Sequence, residues 1–407
     1  MKKFFAILLV VLMVFAVFAC DKKPSDDPET PGSDSAPVSE PDPGVDPSPS
    51  VDPGPSVDPG PSAEPDPEKK VYNVVHLVNG NLGDKSFFDS ADSGLKKLEA
   101  DGRIILKTIE MGGTDADQPK WQETLNEVAE SKLYDLVVCG TYQMPDYLKE
   151  TATAYPDQKF LIYDDTTYVG ENDNVVNVSY RQNDMGYLIG VYAAAMTSKT
   201  DVDKINPEKV VGFIGGVDSP VINDFLYGFL TGVKATDPEV KVDTRYVNSY
   251  VDTATAKEMG LAMINDNKVD IIWGVAGLSG NGGAEAALES GKSWFIGVDS
   301  DQELTLSPEL AAITLTSGLK NVGNSIVWVF DEWDAGRTYW GQEVNLGLVE
   351  GGVGFVSDKN FKNIAPQDVQ DLVLKAEKEV RDKTVEVPSA IGDDTNGVIA
   401  LRDEMQP

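Results

Sequence analysis

Few of the residue types on which catalysis usually draws are available in this chain of 407 residues, which has one histidine, His76, and two cysteines. That count excludes a Ser-His-Asp relay with a spare, an HExxH helix and a two-histidine metal site, so neither a metal nor a cofactor is expected. Acids are plentiful: Asp164 and Asp165 are adjacent, and Asp299 and Asp301 fall within GVDSDQ. Paired carboxylates can cleave a glycosidic bond, but adjacency in a loop says nothing about separation across a cleft. One carboxylate at the C-terminal end of a strand can do something simpler, which is to accept two hydrogen bonds from a vicinal diol such as a ribose. AALESGKS (286–293) has the spacing of a relaxed phosphate-binding loop. Such a loop needs a strand before it and a helix after it; here the order is reversed, and Gly291 reads as a helix C-cap. GLSGNGG (277–283) does follow a strand and open a helix, either as a ligand-lining loop or as a plain tight turn. Phe87 and Phe88 stand between a glycine-containing loop and a helix start, where aromatic faces can stack on a planar ligand. Phe225, with Val221 four residues before and Phe229 four after, reads by itself as core.

The elements that must position these residues alternate. Val- and Ile-rich runs recur at 72–78, 103–110, 134–140 and 159–164, separated by amphipathic segments such as Ser86 to Ala100 and Lys120 to Ser131. The alternation restarts at 209–216 and continues through 241–247, 269–276, 293–299 and 311–317, with helices expected at Pro220 to Ala235, Thr253 to Asn265, Gly283 to Ser290 and Leu319 to Ala335. The reading is α/β: two doubly wound parallel-sheet lobes, an N-lobe of about 71–180 and a C-lobe of about 200–330. NVVNVSY (174–180) and a helix from Asp184 to Thr197 carry the chain between them, and VNLGLVEGGVGFV folds back. Ligands of such sheets bind beyond the carboxyl ends of the strands, which places a site in the cleft between lobes. Cys139 ends an apolar run with no basic neighbour and is expected to be a buried core residue.

Lysines and arginines number 34 against 67 acids, a net charge of −33, so a nucleic-acid partner is excluded. Residues 1–20, MKKFFAILLVVLMVFAVFAC, have the basic start, short apolar run and small residue before the break of an export signal, with Cys20 placed for lipid attachment. Residues 21–70 hold 14 of the 24 prolines, no aromatic residue and a net charge of −9. Such a segment cannot bury enough apolar surface to offset its ordering entropy and reads as a spacer between a membrane and a folded region at 71–407.

The segments GDKSFFDSADSG, VGFIGGVDSPVINDFLYGFLTGVKA, GLAMINDNKVDIIWGVAG, FIGVDSDQ, LTSGLKNV and GLVEGGVGF, in this order, resemble the basic membrane lipoprotein family, which includes purine nucleoside receptors of ABC importers. The resemblance implies a type I periplasmic-binding fold with a hinge, a lipid anchor on Cys20, a nucleoside between the lobes, delivery to an ABC permease, and no enzymatic activity. It implies that Phe87 and Phe225 sandwich the base, with Ser86 and Phe88 beside Phe87. Asp84 and Asp117 would bond the base edge or ribose, Asp299 and Lys320 the ribose hydroxyls, and Gly277 would let the backbone close in. Phe88 departs from the family's usual Asn, and Gln182 from a common Glu. With Trp121 and Trp273 on elements that could reach the cleft, a wider planar ligand such as riboflavin is the alternative. A sensor or adhesin without transport, or less readily a nucleoside-processing enzyme, are the others. The expected location is the extracytoplasmic face of a membrane.

Overall fold

The computed structural model describes residues 70–165, 172–392 and 395–407. The expected signal segment, Cys20 and all but the last residue of the spacer lie outside the described residues.

The first half runs β1 (Tyr72–Val78), α1 (Phe87–Ala100), β2 (Ile104–Glu110), α2 (Pro119–Ser131), β3 (Leu136–Gly140), α3 (Pro145–Ala154), β4 (Lys159–Tyr163) and β5 (Val175–Tyr180). After α4 (Gln182–Thr197) the second half runs β6 (Val210–Gly215), α5 (Pro220–Thr236), β7 (Lys241–Tyr246), α6 (Thr253–Asp266), β8 (Ile271–Val275), α7 (Gly280–Ser290), β9 (Trp294–Asp299), the short turns α8 (Gln302–Thr305) and α9 (Pro308–Ala311), and β10 (Thr314–Lys320). The chain ends with α10 (Val322–Asp334), β11 (Gln342–Leu346), β12 (Val353–Phe355), α11 (Lys359–Ile364), α12 (Gln367–Arg381) and α13 (Thr395–Met405).

Two six-stranded sheets result, ordered β11-β5-β4-β3-β1-β2 and β12-β10-β9-β8-β6-β7. All pairings are parallel except β10 with β12. LVVCG in β3 and VVGFIG in β6 are buried throughout, as expected for strands covered by helices on both faces. Each sheet reverses its strand order at its first strand, between β1 and β3 and between β6 and β8. Loops at such a switch point diverge and leave a crevice.

The chain passes between the halves three times. It leaves β5 for α4, which packs on α5; it leaves β10 for α10, which packs on α1; and it passes from β11 in one sheet to β12 in the other. The first passage is held tightly. All of α4 is buried, its Gly186 and Gly190 lie against the α5 backbone at Phe225 and Phe229, and Gly228 and Gly232 of α5 lie against the α4 backbone at Asn183 and Tyr187. A Cβ on Gly190 would stand 2.1 Å from the Phe229 carbonyl oxygen, and one on Gly232 would stand 2.2 Å from that of Tyr187, so only hydrogen fits where these backbones touch.

Four local expectations need correction. Residues 174–180 are no mere connection but supply β5 of the first sheet. The strand expected at 311–317 starts at Thr314 and continues to Lys320, so Leu319 and Lys320 are strand rather than helix. The GLSGNGG segment is a single 3-10 turn at Gly277–Ser279 followed directly by α7, three residues earlier than expected. Trp121 and Trp273 reach no cleft: both indoles are buried in the two cores, donating Nε1–H to the carbonyls of Gly112 (3.0 Å) and Gly297 (3.1 Å). Gly291 does cap α7, with φ of 63° and its N–H on the Ala287 carbonyl. Cys139 is buried, and burial pushes its thiol up to about 12.

Candidate functional site

The crevice between the switch points is a cavity enclosing about 810 Å³ of space, solvent at its mouth included. The first half contributes Asn79, Gly80 and Asn81 after β1, Asp84, Phe87 and Phe88 at the start of α1, Thr141 to Gln143 after β3, and Asp164 after β4. The second half contributes Val221, Ile222 and Phe225 of α5, Tyr250 and Val251 after β7, Val275 to Leu278 after β8, Asp299 ending β9 and Lys320 ending β10.

Phe87 is set by the α1 start. The Asp84 carboxylate accepts from the backbone N–H groups of Ser86, Phe88 and Asp89 at 3.0, 2.8 and 3.1 Å, capping the helix from outside it. Burial raises the Asp84 pKa even though these N–H groups favour its ionised form. Phe88 meets Phe87 edge-on with centroids 5.1 Å apart. Opposite, Phe225 is seated edge-on against Trp273 at 6.0 Å. Only 2% exposed, it is at once a core residue, as its spacing indicates, and part of the cavity wall.

The floor is an ionic group shared between halves. Lys320, 1% exposed, places Nζ 2.5 Å from Asp164 Oδ1 and 4.5 and 5.8 Å from the Phe225 and Phe87 ring centroids. Asp164 and Asp299 occupy matching places, at the C-terminal ends of the fourth strand of each series, and both hold left-handed backbone with φ of 62° and 64°. Such geometry is uncommon for a residue with a Cβ and recurs at sites of function. Burial raises both carboxyls against the pull of Lys320, Asp299 up to about 7. Asp299 Oδ2 lies 2.9 Å from the Ser86 hydroxyl, and Oδ1 has no partner among the described residues. Gly277, at φ of 54°, brings backbone to the wall beside Tyr250. The phenols of Tyr142 and Tyr250, from opposite halves, bond at 3.1 Å.

Of the residues named from sequence, Asp84, Phe87, Phe88, Phe225, Gly277, Asp299 and Lys320 line one cavity. Ser86 stands just behind it, its hydroxyl shared between Asp299 and the Val298 carbonyl (3.1 Å). Asp117 is outside: its carboxylate takes the Thr114 hydroxyl at 2.6 Å and pairs with Lys120 at 2.8 Å, partners that hold its pKa down to about 2. Sequence reasoning missed Asn79, Thr141, Tyr142 and Tyr250. Asn79 is buried, donates Nδ2–H to Thr141 Oγ1 at 2.7 Å and leaves Oδ1 without a partner. The left-handed φ of 77° at Thr141, a β-branched residue, puts that hydroxyl in place. Nothing in the sequence marked either residue, because both lie one position beyond a strand with no motif of their own. Among the described residues no group of His, Cys, Asp or Glu is arranged to hold a metal.

Two largely parallel sheets joined by three passages around a cleft form the type I periplasmic binding fold. The chain belongs to the family described as ABC transporter substrate-binding protein PnrA-like, whose model matches residues 71–390. It is therefore a substrate-binding protein, not an enzyme. It is 31% identical over 328 residues to a CD4+ T-cell-stimulating antigen of Listeria monocytogenes, covering 76% of this chain and 85% of that one. It is 30% identical to basic membrane protein A of Borreliella burgdorferi over 75% of this chain and 88% of that one. It is 29% identical to a protein of Lactococcus lactis named ABC transporter nucleoside-binding protein BmpA, over 78% and 88% of the two chains. In fold it is similar to an ABC transporter solute-binding protein of Aeropyrum pernix, with a TM-score of 0.70 and 23% identity, covering 82% of this chain and 99% of that one.

Proposed function

We propose that this protein is a lipid-anchored, extracytoplasmic receptor that closes around a nucleoside, a purine nucleoside foremost, and delivers it to an ABC permease. The observation that carries the ligand class is the pair of phenylalanines, Phe87 and Phe225, contributed to one cavity by opposite halves above the Asp164–Lys320–Asp299 floor. Rings on two sides suit a flat base, each face contributing about 1–3 kcal/mol. Asp299 Oδ1 is free to accept a ribose hydroxyl, and the orphaned Asn79 Oδ1 is free to accept an N–H from the base edge. The bond to the Asp299 carboxylate is worth about 1.5–3 kcal/mol and the neutral one to Asn79 about 0.5–1.5 kcal/mol. The name of the Lactococcus lactis relative supports the same ligand class.

In this reading the halves, about 71–180 and 200–330, swing about the three passages, and binding energy favours the closed form. Diacylation of Cys20 holds the protein at the membrane, since several acyl chains give a stable anchor where one is reversible. Among the described residues no helix is long and apolar enough to cross a membrane. The indoles that favoured a flavin-sized ligand are buried in the cores, which leaves the nucleoside as the better fit.

The test is mass spectrometry of small molecules released on denaturing the purified protein, followed by calorimetry of the refolded protein with guanosine, inosine, adenosine and uridine. Release of a nucleoside and heat from at least one titration are expected. Release of a sugar or flavin, with no heat from any nucleoside, refutes the reading.

A further inference from the structure

The cleft is held shut by more than its ligand-facing wall. Three consecutive backbone carbonyls of the first half, those of Asp84, Lys85 and Ser86, accept hydrogen bonds from side chains of the second. Asn281 Nδ2 donates to the Asp84 carbonyl at 3.3 Å. Gln302 Nε2 and Thr305 Oγ1 donate to that of Lys85 at 3.3 and 2.9 Å, and Ser300 Oγ to that of Ser86 at 2.7 Å. None of these four donors lines the cavity.

Both sides of this contact are built within their own half. Residues 83–86 are fixed by the Asp84 cap and by Asp89, whose carboxylate accepts from the N–H groups of Gly83 (2.7 Å) and Lys85 (3.0 Å). Lys85 takes left-handed backbone, φ of 61°, in this turn. In the second half, Gln302 accepts the Val298 N–H at 3.2 Å, donates its own backbone N–H to Ser317, and donates Nε2–H to Asn281 Oδ1 at 3.3 Å. Gln302 and Asn281 are thus pre-positioned, and their bonds form without the entropic cost of ordering loose side chains.

We propose that Asn281, Ser300, Gln302 and Thr305 are affinity-setting positioning residues, which stabilise the closed form by capturing the 84–86 carbonyls whatever solute the cavity holds. The inference rests on the hinge-closure reading above but not on the identity of the ligand. Apparent affinity scales with the fraction of molecules able to close, so a contact remote from the ligand weakens binding as it depopulates the closed form. Losing two neutral hydrogen bonds of ordinary strength corresponds to roughly 5- to 150-fold in that equilibrium.

The experiment uses the mature protein, stripped of ligand by unfolding and refolding, and the double variant Ser300→Ala/Thr305→Val at half-buried positions. Small-angle scattering without ligand reports opening, and calorimetry with guanosine as probe reports affinity. The expected result is a larger radius of gyration for the ligand-free variant, guanosine binding weakened at least 5-fold through faster dissociation, and recovery in Ser300→Thr/Thr305→Ser, which keeps both hydroxyls. Unchanged scattering and unchanged affinity overturn the proposal, as does equal weakening in the hydroxyl-keeping variant. Should the double variant fail to fold, the single Thr305→Val carries the same comparison. If wild-type protein ignores guanosine and the other three nucleosides, the nucleoside reading fails by itself, and the ligand-free scattering still decides whether the carbonyls are a clasp.

Discussion

Replacing Lys320 by methionine tests the ionic floor of the cleft. Methionine keeps an unbranched side chain of similar length and deletes the ammonium that stands 2.5 Å from Asp164 and over the Phe225 ring. Breaking a buried pair by removing one partner costs about 3–5 kcal/mol, because the other charge is left in a low-dielectric site. At about 2.1 cal/mol/K per residue over roughly 335 folded residues, the melting temperature should fall by about 4–7 °C. The pH dependence gives the sign. Burial already holds Asp164 above the usual carboxylate range with Lys320 pulling it down, so removing Lys320 raises it further. A carboxyl whose folded pKa exceeds its unfolded value loses stability as pH rises through that interval. The deficit should therefore be larger at pH 8 than at pH 5, because protonating Asp164 removes the buried charge that the variant leaves unpaired. Thermal unfolding of both proteins across that range is the assay. A loss below about 1 kcal/mol, or an equal deficit at both pH values, would refute the account.

Phe225→Ala should weaken nucleoside binding about tenfold or more, read by calorimetry below the variant's melting point, since removing a core ring also destabilises the fold. An unchanged affinity returns Phe225 to the core alone. Burial pushes Asp299 up to about 7, and a diol needs its ionised form, so affinity should fall about tenfold from pH 8 to pH 6; Asp299→Asn should bind weakly and without that slope. Gly190→Ala forces a methyl against the Phe229 carbonyl and should cost about 1–3 kcal/mol in denaturant unfolding, with a null effect arguing against backbone contact between α4 and α5. Cys20→Ala should move the exported protein from the detergent phase to the aqueous phase on phase separation; retention in detergent rules out an acyl anchor.

Much of this molecule was legible in its sequence because periodicity reports burial, and burial in a doubly wound fold dictates where loops converge. Val- and Ile-rich runs located the sheets, and the position of Asp299 at the end of one of them was enough to suggest a diol acceptor. Lys320 was misplaced into a helix because Ser317 and Gly318 read as the end of the strand, whereas β10 runs through them to Lys320. Asp117 shows the opposite limit. Local sequence does not distinguish an acid that pins its own turn from one that faces a cleft, and here Thr114 and Lys120 have claimed it. Asn79 became visible only when the β3 loop delivered Thr141 beside it, a contact 62 positions apart in the chain.

The edge strand β11 is laid onto the first sheet only after β6 to β10 of the second half have been made, and α10 reaches α1 at the same late stage. A ribosome that has synthesised the first five strands has therefore produced an incomplete object, with a bare sheet border and an uncovered helix. The same arrangement means that a premature stop near residue 340 would spoil both halves at once instead of leaving one of them intact.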